Sequence, residues 1–69
     1  MKLSARNVLS GTVSEVTKGQ TTARVKITLP GGSVITASIT NEAVDALELK
    51  VGDEASAIVK ASDVIIGKA

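Results

Sequence analysis

Thr21-Thr22-Ala23-Arg24-Val25-Lys26-Ile27-Thr28-Leu29-Pro30-Gly31-Gly32-Ser33-Val34-Ile35-Thr36-Ala37-Ser38-Ile39 decides the fold class. Ala23, Val25, Ile27 and Leu29 fall on one side of an extended chain, while Thr22, Arg24, Lys26 and Thr28 fall on the other. A period of two is the mark of a strand with one wet face and one dry face. Pro30-Gly31-Gly32 then reverses the chain: proline presets φ, and the glycines accept the positive φ of a tight turn. Beyond the turn, Ile35, Ala37 and Ile39 oppose Val34, Thr36 and Ser38, which predicts a second strand antiparallel to the first.

Upstream, residues 8–16 predict another strand. Leu9, Gly11 and Val13 share one face, with Ser10, Thr12 and Ser14 on the other. Gly11 interrupts the pattern, which implies a bulge, a coil or a close approach of another backbone. Lys18-Gly19-Gln20 reads as a hairpin loop. Downstream, the period changes at Thr40. Ala43, Val44 and Leu47 fit one face of a short helix over residues 41–48, capped by Thr40 or Asn41, with Glu42 at the positive end of its dipole. Lys50-Val51-Gly52-Asp53 ends the helix. Residues 54–60 predict a fourth strand with Ala55, Ala57 and Val59 inward, and residues 64–66 a fifth, after a polar break at Ala61-Ser62-Asp63. Residues 1–69 therefore read as a single domain, all-β with one short helix. Three meandering strands, a helix and two more strands are the order of an oligonucleotide-binding (OB)-like, five-stranded Greek-key barrel. An open five-stranded sheet with one packed helix is the other arrangement of these elements.

Size and composition bound the function. A 69-residue chain buries only about 60% of the surface it exposes when unfolded, and one core of this size supplies about 3–5 kcal/mol. No cysteine is present for a disulfide, and no histidine or cysteine for an imidazole or thiolate metal site. With no Phe, Tyr or Trp the core is Val, Ile, Leu and Ala, so a homo-oligomer sharing apolar surface is expected. Eight basic and seven acidic residues give a net charge of +1, too weak a field for general polyanion binding. No apolar run approaches the ~18 residues of a membrane span. Met1-Lys2-Leu3-Ser4 lacks the apolar core of a signal peptide, so the expected compartment is the cytoplasm.

Catalysis has little to work with. Histidine, cysteine and tyrosine are missing, and the carboxylates fall on the helix and in turns. An enzyme is not expected. No glycine-rich phosphate loop with a following Lys-Ser or Lys-Thr occurs. What remains is donors. Ser4-Ala5-Arg6-Asn7 is the densest cluster of them, and Lys60-Ala61-Ser62-Asp63 offers a similar set from the far end of the chain. A tetrahedral dianion needs several hydrogen-bond donors with one or two positive charges, and charge-assisted bonds are roughly twice as strong as neutral ones. Thr40 adds a hydroxyl at a helix start, where free N–H groups favour an anion. From the residues alone the ordinary reading is a solvated Arg6, a surface Lys60, a turn at Ser62-Asp63 and a cap at Thr40; the other reading is an oxyanion cage in which the two ends meet. The competing function for such a barrel is single-stranded nucleic-acid binding. That activity stacks bases on aromatic side chains in a basic groove, and this chain has neither.

Ser4-Ala5-Arg6-Asn7, the Gly11 strand, the Gly31-Gly32 turn, the Thr40 helix start, Val51-Gly52 and Ile58-Val59-Lys60-Ala61-Ser62-Asp63-Val64 together resemble the molbindins, the Mop-type molybdate- and tungstate-binding proteins. The resemblance covers nearly the whole chain. It implies an OB-like barrel assembled as a hexamer, a trimer of dimers, with oxyanion sites between subunits. It also implies storage or buffering of molybdate or tungstate inside the cell, bound as oxyanions and without direct side-chain ligands to the metal. Carried over by motif, Ser4 and Arg6 act with the N–H groups of Ala5 and Arg6. Lys60 and Ser62, with Ala61 between them, approach from another strand or subunit, and Thr40 matches a hydroxyl position. A second class of site in the family, near the threefold axes, points to the hairpin Lys18, Gly19, Gln20, Thr21 and Thr22.

Overall fold

A computed structural model describes residues 2–69. The strands are β1 (Asn7–Lys18), β2 (Thr22–Thr28), β3 (Val34–Thr40) and β4 (Glu54–Val59), with the helix α1 (Asn41–Leu47) between β3 and β4. All pairings are antiparallel, and the sheet order is β3-β2-β1-β4. Three consecutive strands with the fourth returning beside the first is Greek-key order. β1 is the shared element. Its first half, from Asn7 to Thr12, pairs with β4, and its second half, from Thr12 to Lys18, pairs with β2.

The change of partner explains how the sheet curls. The register on β2 slips between Val13 and Glu15, leaving Ser14 as the extra residue of a bulge, and a bulge bends and twists the strand that carries it. The glycine at position 11 is not the bulge. A Cβ there would stand 2.5 Å from the Thr28 carbonyl oxygen and 2.7 Å from Ile27 Cγ2, so it marks the close backbone approach. At the bulge, Val13 N–H donates to the Asp53 carbonyl and Gly52 N–H to the Val13 carbonyl, both at 2.8 Å. These bonds fasten the loop after α1 to the middle of β1.

The inward residues of β2 form the core as their alternation predicts. Ala23, Val25 and Ile27 are buried, with Val13 from β1 and Val44 from α1. Thr40 is the helix cap, its Oγ1 accepting from the Ala43 N–H at 3.0 Å. Asn41, the other cap candidate, ties the helix to the β1–β2 hairpin: its N–H donates to the Thr21 carbonyl and its Nδ2 to the Gly19 carbonyl, both at 2.9 Å. The helix stops at Glu48, which turns left-handed at φ 53°.

The expected fifth strand is absent among the described residues. After Val59 the chain makes a single 3-10 turn, Ala61–Asp63, and residues 64–69 have no regular structure. Ile65 and Ile66 are 93% and 85% exposed. β-branched sequence alone does not make a strand, since its backbone groups need a partner edge, and residues 64–66 pair with none. The five-stranded closed barrel is therefore corrected to a curled four-stranded sheet, open between the free edges of β3 and β4.

Candidate functional site

The β1–β4 ladder brings the two donor clusters together. Its terminal pair is Asn7 opposite Val59, and Asn7 Nδ2 donates to the Val59 carbonyl oxygen at 3.1 Å. One residue further out, Arg6 precedes Asn7 and Lys60 follows Val59, so the ladder delivers both cations to the same end of the sheet. Within one chain the two clusters already leave the sheet side by side, at the ends of adjacent strands. The physical reason is register, because pairing from Glu54–Thr12 to Val59–Asn7 fixes where each segment leaves the sheet. Nothing in sequence marked Asn7 as the side chain that crosses between the clusters.

The local structure keeps the donors open. Ser4, Arg6, Lys60, Ala61 and Ser62 are exposed, and Ala5 is half-buried. In the 3-10 turn, Asp63 N–H donates to the Lys60 carbonyl at 2.9 Å and Val64 N–H to the Ala61 carbonyl at 3.3 Å. The N–H groups of Ala61 and Ser62 open that turn and have no partner within it. Arg6 and Lys60 enter none of the ion pairs among the described residues, whereas Lys18, Arg24 and Lys26 all do. An unpaired Arg-Lys couple beside hydroxyls and free N–H groups is chemistry for a small anion.

Thr40 lies elsewhere. It pairs with Thr22, and Ala23 pairs with Lys18 at the far end of β1. The twelve-residue length of β1, roughly 35–40 Å of contour at about 3.3 Å per residue, separates it from Arg6 within one chain. The hairpin Lys18, Gly19, Gln20, Thr21 and Thr22 sits at Thr40's end. There Lys18 Nζ is held by Asp45 Oδ1 at 2.5 Å, and Asn41 Oδ1 is buried without a partner. A committed cation and a bare acceptor suit a dianion less well than the Arg6–Lys60 end does.

A curled Greek-key sheet with one helix and an exposed donor cluster at the β1–β4 end belongs to a defined class. The TOBE domain pattern matches residues 3–66, and the chain belongs to that family. Within it, the chain is a member of the molbindin, or Mop-type, group. It is 45% identical over 67 residues to a probable molybdenum-pterin-binding protein of Haemophilus influenzae, covering 97% of each chain. It is 53% identical over 64 residues to the molybdenum transport protein ModE of Herbaspirillum seropedicae, covering 93% of this chain but only 24% of ModE. Among solved structures it superposes with a TM-score of 0.91, at 51% identity, on ModG, a cytoplasmic molybdate-binding protein with molybdate bound. That match spans 94% of this chain and 46% of ModG.

Proposed function

We propose that this protein binds molybdate or tungstate and stores or buffers it inside the cell, at subunit interfaces of a homo-oligomer. The observation that carries the reading is the delivery of Arg6 and Lys60, both without ion-pair partners, to one end of the sheet in a chain of molbindin type. Ser4, Ser62 and the N–H groups of Ala5, Arg6, Ala61 and Ser62 complete the donor set. Thr40 lies at the far end of β1 and would join this set from another subunit of the hexamer. The hairpin of residues 18–22 is the subsidiary site. A ModG structure that holds molybdate supports the choice of ion, and the cytoplasmic placement of that protein supports the same compartment here. No helix among the described residues is long and apolar enough to cross a membrane.

Two cations and a majority of N–H donors in the lining also favour an oxyanion that carries no proton. Molybdate and tungstate carry no proton at neutral pH. Phosphate is partly protonated there and needs an acceptor in its site. Titration calorimetry with molybdate, tungstate and phosphate tests the proposal: heat from the first two and at most weak heat from phosphate is expected, and equal affinity for phosphate would contradict it.

A further inference from the structure

Lys18 is the cation of the hairpin end, and the fold sets a carboxylate on it. Lys18 Nζ donates to Asp45 Oδ1 at 2.5 Å, across 27 residues of sequence. The docking of α1 explains the contact. Asn41 fastens the start of the helix to the hairpin through the carbonyls of Thr21 and Gly19. Asn41 and Asp45 are four residues apart and share a helix face, so that anchor brings Asp45 over the end of β1. Val44, the next residue back, is 3% exposed in the core and fixes the rotation of the helix.

A pocket of about 540 Å³ lies beside the pair, with Val16 and Val44 among its lining and Lys18, Asp45, Glu48 and Lys50 around it. Two ammonium groups meet two carboxylates there, so the pocket has no net charge to offer an anion. The side chains of Lys18 and Asp45 are 46% and 67% exposed, so an ion from solution reaches the pair and the carboxylate is free to swing away. A dianion coming to Lys18 has to displace Asp45 or sit beside it. Displacement forfeits an exposed ion pair, a few-fold effect at most. A unit charge left about 5 Å from a dianion in water weakens binding by roughly a further tenfold once salt screening is allowed for. The buried, unpartnered Asn41 Oδ1 places another acceptor in the same hairpin.

We propose that Asp45 is a built-in competitor, a carboxylate that occupies Lys18 in place of an anion and holds the hairpin site below the Arg6–Lys60 site in affinity. Arg6 and Lys60 meet no such carboxylate among the described residues. The two sites then fill in order, the open one first and the hairpin only when the anion is plentiful. The inference rests on the reading of residues 18–22 as the subsidiary oxyanion site.

Asp45→Asn tests it, because the change keeps the shape of the side chain and removes its charge. Asp45→Ala, which suits a helix better, repeats the measurement in a second background, and a melting curve of each variant reports the fold. Both are titrated calorimetrically with molybdate at low salt beside the wild type. The weaker class of binding is expected to strengthen about tenfold. The gain should vanish when Lys18→Ala is added and persist when Arg6→Ala is added instead. An isotherm that matches the wild type in both variants, weaker binding in either, or a gain that survives Lys18→Ala overturns the proposal. A wild type that takes up no molybdate while Asp45→Asn does would uphold the competitor and break the storage reading at Arg6 and Lys60. A wild type that binds through Arg6 and Lys60, with both Asp45 variants unchanged, does the reverse, so the two failures are distinguishable.

Discussion

The two ends of β1 carry similar residues and use them differently. At the Lys18 end three of the polar side chains are engaged by the chain itself. Lys18 holds Asp45, Thr40 caps α1, and Asn41 bonds the hairpin twice. At the Asn7 end, the Asn7 amide crosses to Val59, while among the described residues Arg6 and Lys60 pair with no carboxylate. Donors satisfied within the fold stabilise it. Donors left free are available to a ligand, which is why residue type alone did not separate the two sets.

The contrast breaks most sharply at the open end. Arg6→Ala or Lys60→Ala should each remove a charge-assisted bond of about 1.5–3 kcal/mol, roughly a 10- to 100-fold loss of molybdate affinity. Thermal stability should stay within about ±0.5 kcal/mol of wild type. Calorimetry beside a melting curve checks both halves, and undiminished binding in both variants would remove these residues from the site. The middle of β1 should respond in the opposite sense. Gly11→Ala pushes a methyl into the Thr28 carbonyl and should cost about 1–3 kcal/mol, lowering Tm by about 4–8 °C per kcal/mol for a chain of this size.

At the paired end, Thr40→Ala should cost about 1 kcal/mol through loss of the cap. If Thr40 also serves a second subunit's ion, the same variant weakens molybdate binding, and comparing melting with titration separates the two roles. The smallest effect is expected at Glu15. A hydrogen bond from Arg24, aided by the charges of Lys26 and Arg24, holds its carboxyl below the ordinary value of 4.5. A carboxyl depressed in the folded state contributes stability that is present above its unfolded pKa and lost as pH falls through the folded value. Glu15→Gln should therefore lower the neutral plateau of a stability–pH curve slightly and leave the acid end unchanged, so that the limb below pH 4.5 flattens; the effect is small because the groups involved are exposed.

Much of this was legible in the chain. The alternation of Ala23, Val25 and Ile27 located the core strand, and the change of period at Thr40 located the helix and its cap. The opening and closing motifs supplied the donors proposed for the site. Other features were not legible. Gly11 was readable as a bulge or as a close approach, and only the position of Ile27 and Thr28 of β2 against it decides for the second. The bulge sits at Ser14, which carries no sequence signal of its own. Residues 64–66 have the composition of a strand but pair with neither free edge of the sheet.

Local pattern thus determined the element types, the apolar face of each and the kind of ligand the donors suit, because those follow from side-chain period and chemistry over a few residues. Tertiary structure decided which elements are neighbours. Strand register placed Arg6 beside Lys60 and Thr40 at the opposite end, and left β3 and β4 unjoined. Register depends on pairing between segments far apart in sequence, and no short-range preference encodes it.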